Sequence, residues 1–195
     1  MTTVAQTGTS AAPDRFRLLV ITASVRDSQF GLVVAKWFTR RAGAHARFAV
    51  DTVDLVATPV PASLARDATV DAFATRVGVA EAVVVVTPEY NHGYPGAPKN
   101  ALGARREWAA EPIAFVSYGG LAGGLRSVEL LRLVVAELHM VSHPGDGQLP
   151  LLPPAVRRRR QPEGPGGGRR RPAARPTRLV ADALRTARAT VPYPA

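Results

Sequence analysis

Residues 82–98 read AVVVVTPEYNHGYPGAP, and this stretch decides the fold. Four consecutive valines are β-branched and stiff at χ1, which suits a pleated strand. Both alternating faces of the run are apolar, so the strand it predicts is covered on both sides, as strands of parallel sheets are. After Thr87 the chain turns into proline, glycine, asparagine and histidine, the composition of a structured loop. A buried strand that opens into a chemically dense loop is the arrangement in which open α/β sheets hold ligands, beyond the carboxyl ends of their strands.

Outward from this stretch the pattern repeats. Residues 17–21 (RLLVI) and 112–117 (PIAFVS) are further short apolar runs, and 48–55 (FAVDTVDL) alternates like a strand. Between them, apolar residues recur at helical spacing in 31–41 and 70–79, and most clearly in 125–139, where Leu130, Leu131, Val134, Val135 and Leu138 form one stripe. Pro98 suits the first turn of a helix running through 101–106. Residues 177–189 read as a final helix. Strands and helices alternate, which predicts a parallel sheet with helices on both faces.

Three loops then lie at the carboxyl ends of the strands: 22–30, 87–98 and 117–124. The first carries Thr22, Ser24, Ser28 and Arg26 ahead of a helix. A helix N-terminus offers unpaired N–H groups and the positive end of a dipole, so these residues fit a phosphate. They equally fit a plain helix cap by Ser28 or Asp27 with an exposed arginine. The second crowds Tyr90, Asn91, His92 and Tyr94 between prolines, which fits one wall of a site for a planar heterocycle, or a tight turn with its tyrosines packed on the core. The third, SYGGLAGG, has four glycines and lets backbone approach a ligand closely. It is neither GxGxxG nor a P-loop, which disfavours the usual dinucleotide fold and a P-loop nucleotidase. No GxSxG elbow marks a serine hydrolase. Together the loops predict a mononucleotide site at the switch point of the sheet.

Composition bounds the rest. The chain has 195 residues, 46% of them apolar, enough for one domain with a core of its own. It has no cysteine, which excludes disulfides, zinc–cysteine sites, iron–sulfur clusters and thiol catalysis. No apolar run approaches the ~18 residues of a membrane span, so no membrane association is expected. Residues 1–15 read as a disordered tail without the apolar segment of a secretory signal. The net charge of +10 is local: residues 157–178 hold nine arginines against the single acid Glu163.

The stretches TASVRDSQFG (22–31), VVVVTPEYNHGYPGAPKNAL (83–102) and IAFVSYGGLAGGLRSVELLRLVVAELHMV (113–141) resemble the NADPH-dependent FMN reductases, a family that includes quinone, azo-dye and chromate reductases. The resemblance covers about residues 16–142. It implies a flavodoxin-like three-layer sandwich with a parallel sheet of about five strands in the order 2-1-3-4-5. It implies FMN as cofactor and NADPH or NADH as hydride donor, with the flavin carrying the chemistry and no protein acid or base required. Ser24, Arg26, Ser28 and Phe30 would surround the FMN phosphate. Pro88, Glu89, Tyr90 and Asn91 would line the isoalloxazine, with His92 adjacent and Glu89 contributing through its backbone. Ser117, Tyr118, Gly119 and Gly120 would hold the pyrimidine edge and ribityl side. Lys99, Asn100 and Arg126 also match the family's motifs. The family implies a cytoplasmic homodimer or homotetramer, a small-molecule electron acceptor, and in some members a flavin-dependent monooxygenase partner.

Past Ser142 the family pattern stops. Residues 143–176 form an Arg/Pro/Gly-rich segment, and 21 of the 24 residues from 153 to 176 are Arg, Pro, Gly or Ala. Two readings fit: a GC-rich gene read out of frame, or a disordered tail. Residues 177–195 then read as a C-terminal helix and its end. Alternatives to the reductase are an electron carrier that binds FMN without NAD(P)H turnover, and nucleic-acid binding through the basic segment. The latter lacks the interleaved aromatics that stack bases, so nucleic acid is not an expected partner.

Overall fold

The computed structural model describes residues 15–27, 30–104 and 108–142, the backbone of 147–150, and Ala183 and Thr186, both helical. Of the expected outer segments, the tail 1–15 (apart from Arg15) and the stretches 151–176 and 177–195 (apart from those two residues) lie outside the description.

The elements alternate as the sequence predicts: β1 (Phe16–Thr22), α1 (Phe30–Gly43), β2 (Phe48–Asp54), α2 (Ala68–Gly78), β3 (Ala82–Pro88), α3 (Gly96–Gly103), β4 (Pro112–Gly119), α4 (Leu125–Glu137), β5 (Val141–Ser142) and β6 (Gly147–Pro150). The sheet is parallel, in the order β2-β1-β3-β4-β5. It is the flavodoxin-like sheet. β6 also pairs with β4, parallel and further along it: β5 lies beside Pro112 and Ile113, and β6 beside Val116 to Gly119. The sheet thus runs on past Ser142 to Pro150.

Every residue of β3 is buried. Alternation divides the strands between two cores. Leu19, Ile21, Val83, Val85, Ile113 and Phe115 face α2, α3 and α4, and pack with Phe73, Trp108 and Leu131. Leu18, Val20, Val84, Val86, Val116 and Tyr118 face α1, against Val34 and Ala35. Each of these larger apolar side chains gains about 1.5–3 kcal/mol on burial. Trp108, fully buried, donates its indole N–H to the Leu102 carbonyl at 3.1 Å, which satisfies the one polar atom it takes into the core.

Three boundaries differ from the sequence reading, each for a local reason. α2 begins at Ala68 because the Asp67 carboxylate accepts the Val70 N–H at 2.8 Å and caps it. α3 begins at Gly96, because the extended Pro95 serves as its N-cap and Pro98 falls within the first turn. β4 continues through Tyr118 to Gly119, paired with Pro88 of β3.

Because β2 leaves β1 on one side and β3 adjoins it on the other, the crevice of the switch point opens at the carboxyl ends of β1 and β3. The three loops converge there.

Candidate functional site

The first loop leaves β1 through Ala23, whose N–H donates to Val86 at 2.9 Å. That bond sets Ser24, buried, facing the second loop. Its hydroxyl shares a hydrogen bond with the Tyr90 hydroxyl at 3.1 Å. The Arg26 guanidinium lies 4.6 Å from the centre of the Tyr90 ring, a cation–π contact. Ser28 lies outside the described residues. Phe30 opens α1 and sets its ring edge-on to Tyr118, 5.2 Å between centroids. α1 has no acidic residue in its first turn, so its dipole end faces no carboxylate of its own helix there. Gly31 is required by close approach: a Cβ there would stand 2.7 Å from the Tyr118 hydroxyl and 2.8 Å from the Ser24 Cβ. A cavity of about 290 Å³ opens beside this loop, lined by Ser24, Val25, Arg26, Asp27, Leu32 and Asp54.

The second loop is tied from below. Thr87, fully buried, shares a hydrogen bond with Ser127 at 3.3 Å and donates to the Pro88 carbonyl at 3.1 Å. The Glu89 N–H donates to the Tyr118 carbonyl at 3.1 Å. Tyr90 and Gly93 exchange two backbone hydrogen bonds, of 2.8 and 3.0 Å, around a two-residue turn. Asn91 and His92 both have positive φ, +48° and +68°. This is the primed turn type, and asparagine and histidine are among the side chains that tolerate it best. Both are exposed at the tip of the turn. The conformation of the turn accounts for this residue pair at its tip.

The Glu89 carboxylate points away from the first loop, to α4. It accepts the Arg126 guanidinium at 2.7 Å and the Arg126 backbone N–H at 3.2 Å. Gly124, the N-cap of α4, has no side chain to offer, so Glu89 caps the helix from another loop. Arg126 thus engages both carboxylate oxygens of Glu89, and the Tyr118 carbonyl takes the Glu89 N–H.

The third loop folds back on its own strand. Ser117, fully buried, donates its hydroxyl to the Gly123 carbonyl at 2.9 Å. Gly124 has φ +91°, and a Cβ there would stand 2.6 Å from the Ser117 Cβ. Gly119 ends β4, buried, and Gly120 is exposed with open space around it. Tyr118 departs from its neighbours. Its side chain lies on the α1 face, beneath the first loop, so only its backbone remains near the third. Burial pushes its hydroxyl up to about 12, with the Ser24 side chain acting the other way. Ser24 is close enough to act on that hydroxyl, although no partner among the described residues meets it in full hydrogen-bond geometry.

The fold thus gathers Ser24, Arg26, Phe30, Tyr90 and Tyr118 at the amino end of α1. It leaves His92 and Asn91 at an outer tip and commits the side chains of Glu89 and Ser117 to the scaffold. Sequence reasoning missed the capping of α4 by Glu89, the Thr87–Ser127 tie and the tight fit at Gly31. The first two join residues far apart in the chain and leave no local pattern. Among the described residues no group of His, Asp and Glu is placed to hold a metal ion, and no helix is long and apolar enough to cross a membrane.

A family model described as NADPH-dependent FMN reductase matches residues 16–149. An NAD(P)H-dependent FMN reductase of Schizosaccharomyces pombe is 32% identical over 120 residues, covering 55% of this chain and 60% of that protein. The chain therefore spans less than two thirds of that relative. A quinone reductase of Escherichia coli K12 is 29% identical over 135 residues, 64% of this chain and 72% of that one. Among solved structures, the FerB NAD(P)H:acceptor oxidoreductase of Paracoccus denitrificans superposes with a TM-score of 0.56 at 18% identity, covering 88% of this chain and 94% of that one. The apo form of an NADH:FMN oxidoreductase superposes with a TM-score of 0.61 at 13% identity, covering 91% and 92%. At these identities the structures speak for the fold alone.

Proposed function

Because the chain belongs to the NADPH-dependent FMN reductase family, we propose that it is an FMN-dependent NAD(P)H oxidoreductase that delivers electrons to a small-molecule acceptor. The observation that carries this reading is the amino end of α1. A serine hydroxyl, an arginine and a buried tyrosine hydroxyl meet there at the switch point of the sheet. A phosphate monoester satisfies each of them: it accepts from hydroxyls and guanidinium and lies against the positive end of the helix dipole.

FMN, when bound, supplies the redox chemistry, accepting hydride from NADPH or NADH at N5 and passing electrons on. The protein positions it. Ser24 and Arg26, with Phe30 and Ser28 nearby in the chain, take the phosphate end. Pro88, the Glu89 backbone and Tyr90 give one wall for the ring, with Asn91 and His92 at its outer rim. The backbone from Ser117 through Gly120 gives the opposite edge. No side chain is asked to move a proton.

Quinones suit the acceptor role because quinone reductases are among the relatives. Azo compounds, metal oxyanions and free flavin for a monooxygenase fit the same chemistry. A cytoplasmic homodimer or homotetramer is the assembly this reading carries.

The test is an anaerobic visible-absorbance titration of the full chain with FMN, then with NADPH or NADH. Bleaching of bound flavin by either donor supports the reductase. Bound flavin that neither donor bleaches makes the protein an electron carrier, and absence of binding refutes the reading.

A further inference from the structure

α4 carries a second stripe besides the one it buries. Its core side presents Val128, Leu131 and Val135, all fully buried. Nearly opposite, Arg126, Leu130, Leu133 and Glu137 recur at steps of four, three and four, within about 60° of one another around the helix. That is the spacing of a coiled-coil seam. The seam stands open: Leu133 is 70% exposed and Leu130 42%. Its two ends are charged against their own helix. Glu137 lies in the last turn, at the negative end of the dipole, with no basic residue in that turn. It makes no ion pair among the described residues. Arg126 lies in the first turn, at the positive end. One of its side-chain nitrogens holds Glu89, and the other two have no partner among the described residues.

A leucine pair with a cation at one end and an anion at the other is its own complement. We infer that α4 pairs antiparallel with α4 of a second copy of this chain, about a two-fold axis that crosses the helix midway between positions 131 and 132. That register sets Leu130 against the partner's Leu133 and Arg126 against the partner's Glu137, each contact made twice, as a two-fold interface requires. It also lays the amino end of one helix beside the carboxyl end of the other, so both charges meet a favourable dipole. Parallel helices in the same seam would oppose arginine to arginine and glutamate to glutamate. The seam adjoins the candidate site. A Cβ on Gly93 would stand 3.8 Å from Leu130, and Arg126 holds Glu89, so the second copy backs the second loop from behind. The inference rests on the proposed function only for the oligomeric state, to which it gives a surface and an orientation.

The experiment measures the sedimenting mass of the full chain over a concentration series, for the parent, Leu133→Glu and Glu137→Gln, and then cross-linking. Leu133→Glu should weaken association at least about a hundredfold, because each pair of chains loses two leucine contacts and gains two carboxylates. Its circular dichroism should match the parent's, since Leu133 is mostly exposed. Glu137→Gln should weaken association about fivefold and remove most of its salt dependence. The chain has no cysteine, so introduced thiols report the orientation without competitors. Arg126→Cys mixed with Glu137→Cys should oxidise to a linked pair, and neither variant should link to itself. Antiparallel helices in this register hold like positions roughly 16 Å apart, beyond the reach of a disulfide. Self-linking of the single variants, a mixture that fails to link, or a mass that Leu133→Glu leaves unchanged would overturn the inference while the assembly itself stands. A parent that is monomeric throughout would overturn the inference and the oligomeric state together. Titration of the same parent samples with FMN tests the reductase reading separately.

Discussion

Glu89→Ala tests whether a carboxylate in the second loop holds the helix that follows the third. The wild-type carboxylate does three things. It accepts the Arg126 backbone N–H at 3.2 Å, standing in for the cap that Gly124 lacks. Loss of a capping acceptor costs about 1 kcal/mol. It places a negative charge at the amino end of α4, worth about 0.3–1 kcal/mol. It also pairs with the Arg126 side chain at 2.7 Å, but that arginine is half-exposed, so the pair adds at most a few tenths of a kcal/mol. The sum is about 2 kcal/mol, or roughly 4–8 °C in melting temperature for a chain of this size. Thermal unfolding by circular dichroism, without flavin, measures it. Glu89→Gln keeps an acceptor for the N–H and loses the charge, so it should cost about half as much. Arg126→Ala loses only the outer pair and should cost least. An Arg126→Ala loss equal to that of Glu89→Ala would refute the capping argument and leave a simple surface ion pair.

Three further outcomes follow from the same structure. The hydrogen bond from Arg76, opposed by partial burial and helped by the arginine's charge, holds the Asp51 carboxyl below its usual 3.8. A depressed carboxyl stabilises the fold above its unfolded pKa and loses that contribution as pH falls through the folded one. Asp51→Asn should therefore melt slightly below the parent at neutral pH, and the two melting curves should converge as pH drops beneath about 3.8; a gap that persists in acid would contradict the pairing. Gly124→Ala puts a Cβ 2.6 Å from the Ser117 side chain at φ +91° and should lower stability by more than about 2 kcal/mol in denaturant titration, against little change for Gly78→Ala, which meets nothing within 4 Å. Trp108→Phe removes the bond to Leu102 and part of a fully buried ring, at about 2–3 kcal/mol by the same titration, and a loss below about 1 kcal/mol would show that the indole is not a core element.

Where a segment states its own environment, the sequence is sufficient. The valines of β3 need no partner to declare burial on both faces, and the alternation of strand and helix fixes the parallel sheet and places the three loops at one edge. What could not be read depends on distance or parity. Ending β4 at Ser117 made residues 117–120 a single wall; continuing it to Gly119 puts Ser117 and Tyr118 on opposite faces of the sheet. The tight turn at Asn91 and His92 is one of two readings the sequence allows for that loop, and its positive φ angles, which leave no mark in a sequence, appear only in the fold. Glu89 and Arg126 are 37 positions apart, and only the folded sheet brings them together.

The buried hydroxyls of Thr87, Ser117 and Ser127 have a consequence for kinetics and calorimetry. They fasten the second and third loops to the strand ends from beneath, so these loops are set before any ligand arrives. A ligand that docks on them meets a surface with little ordering left to do. Association there need not wait for a conformational step, and the heat-capacity change should reflect the area of ligand covered with no contribution from folding of these loops.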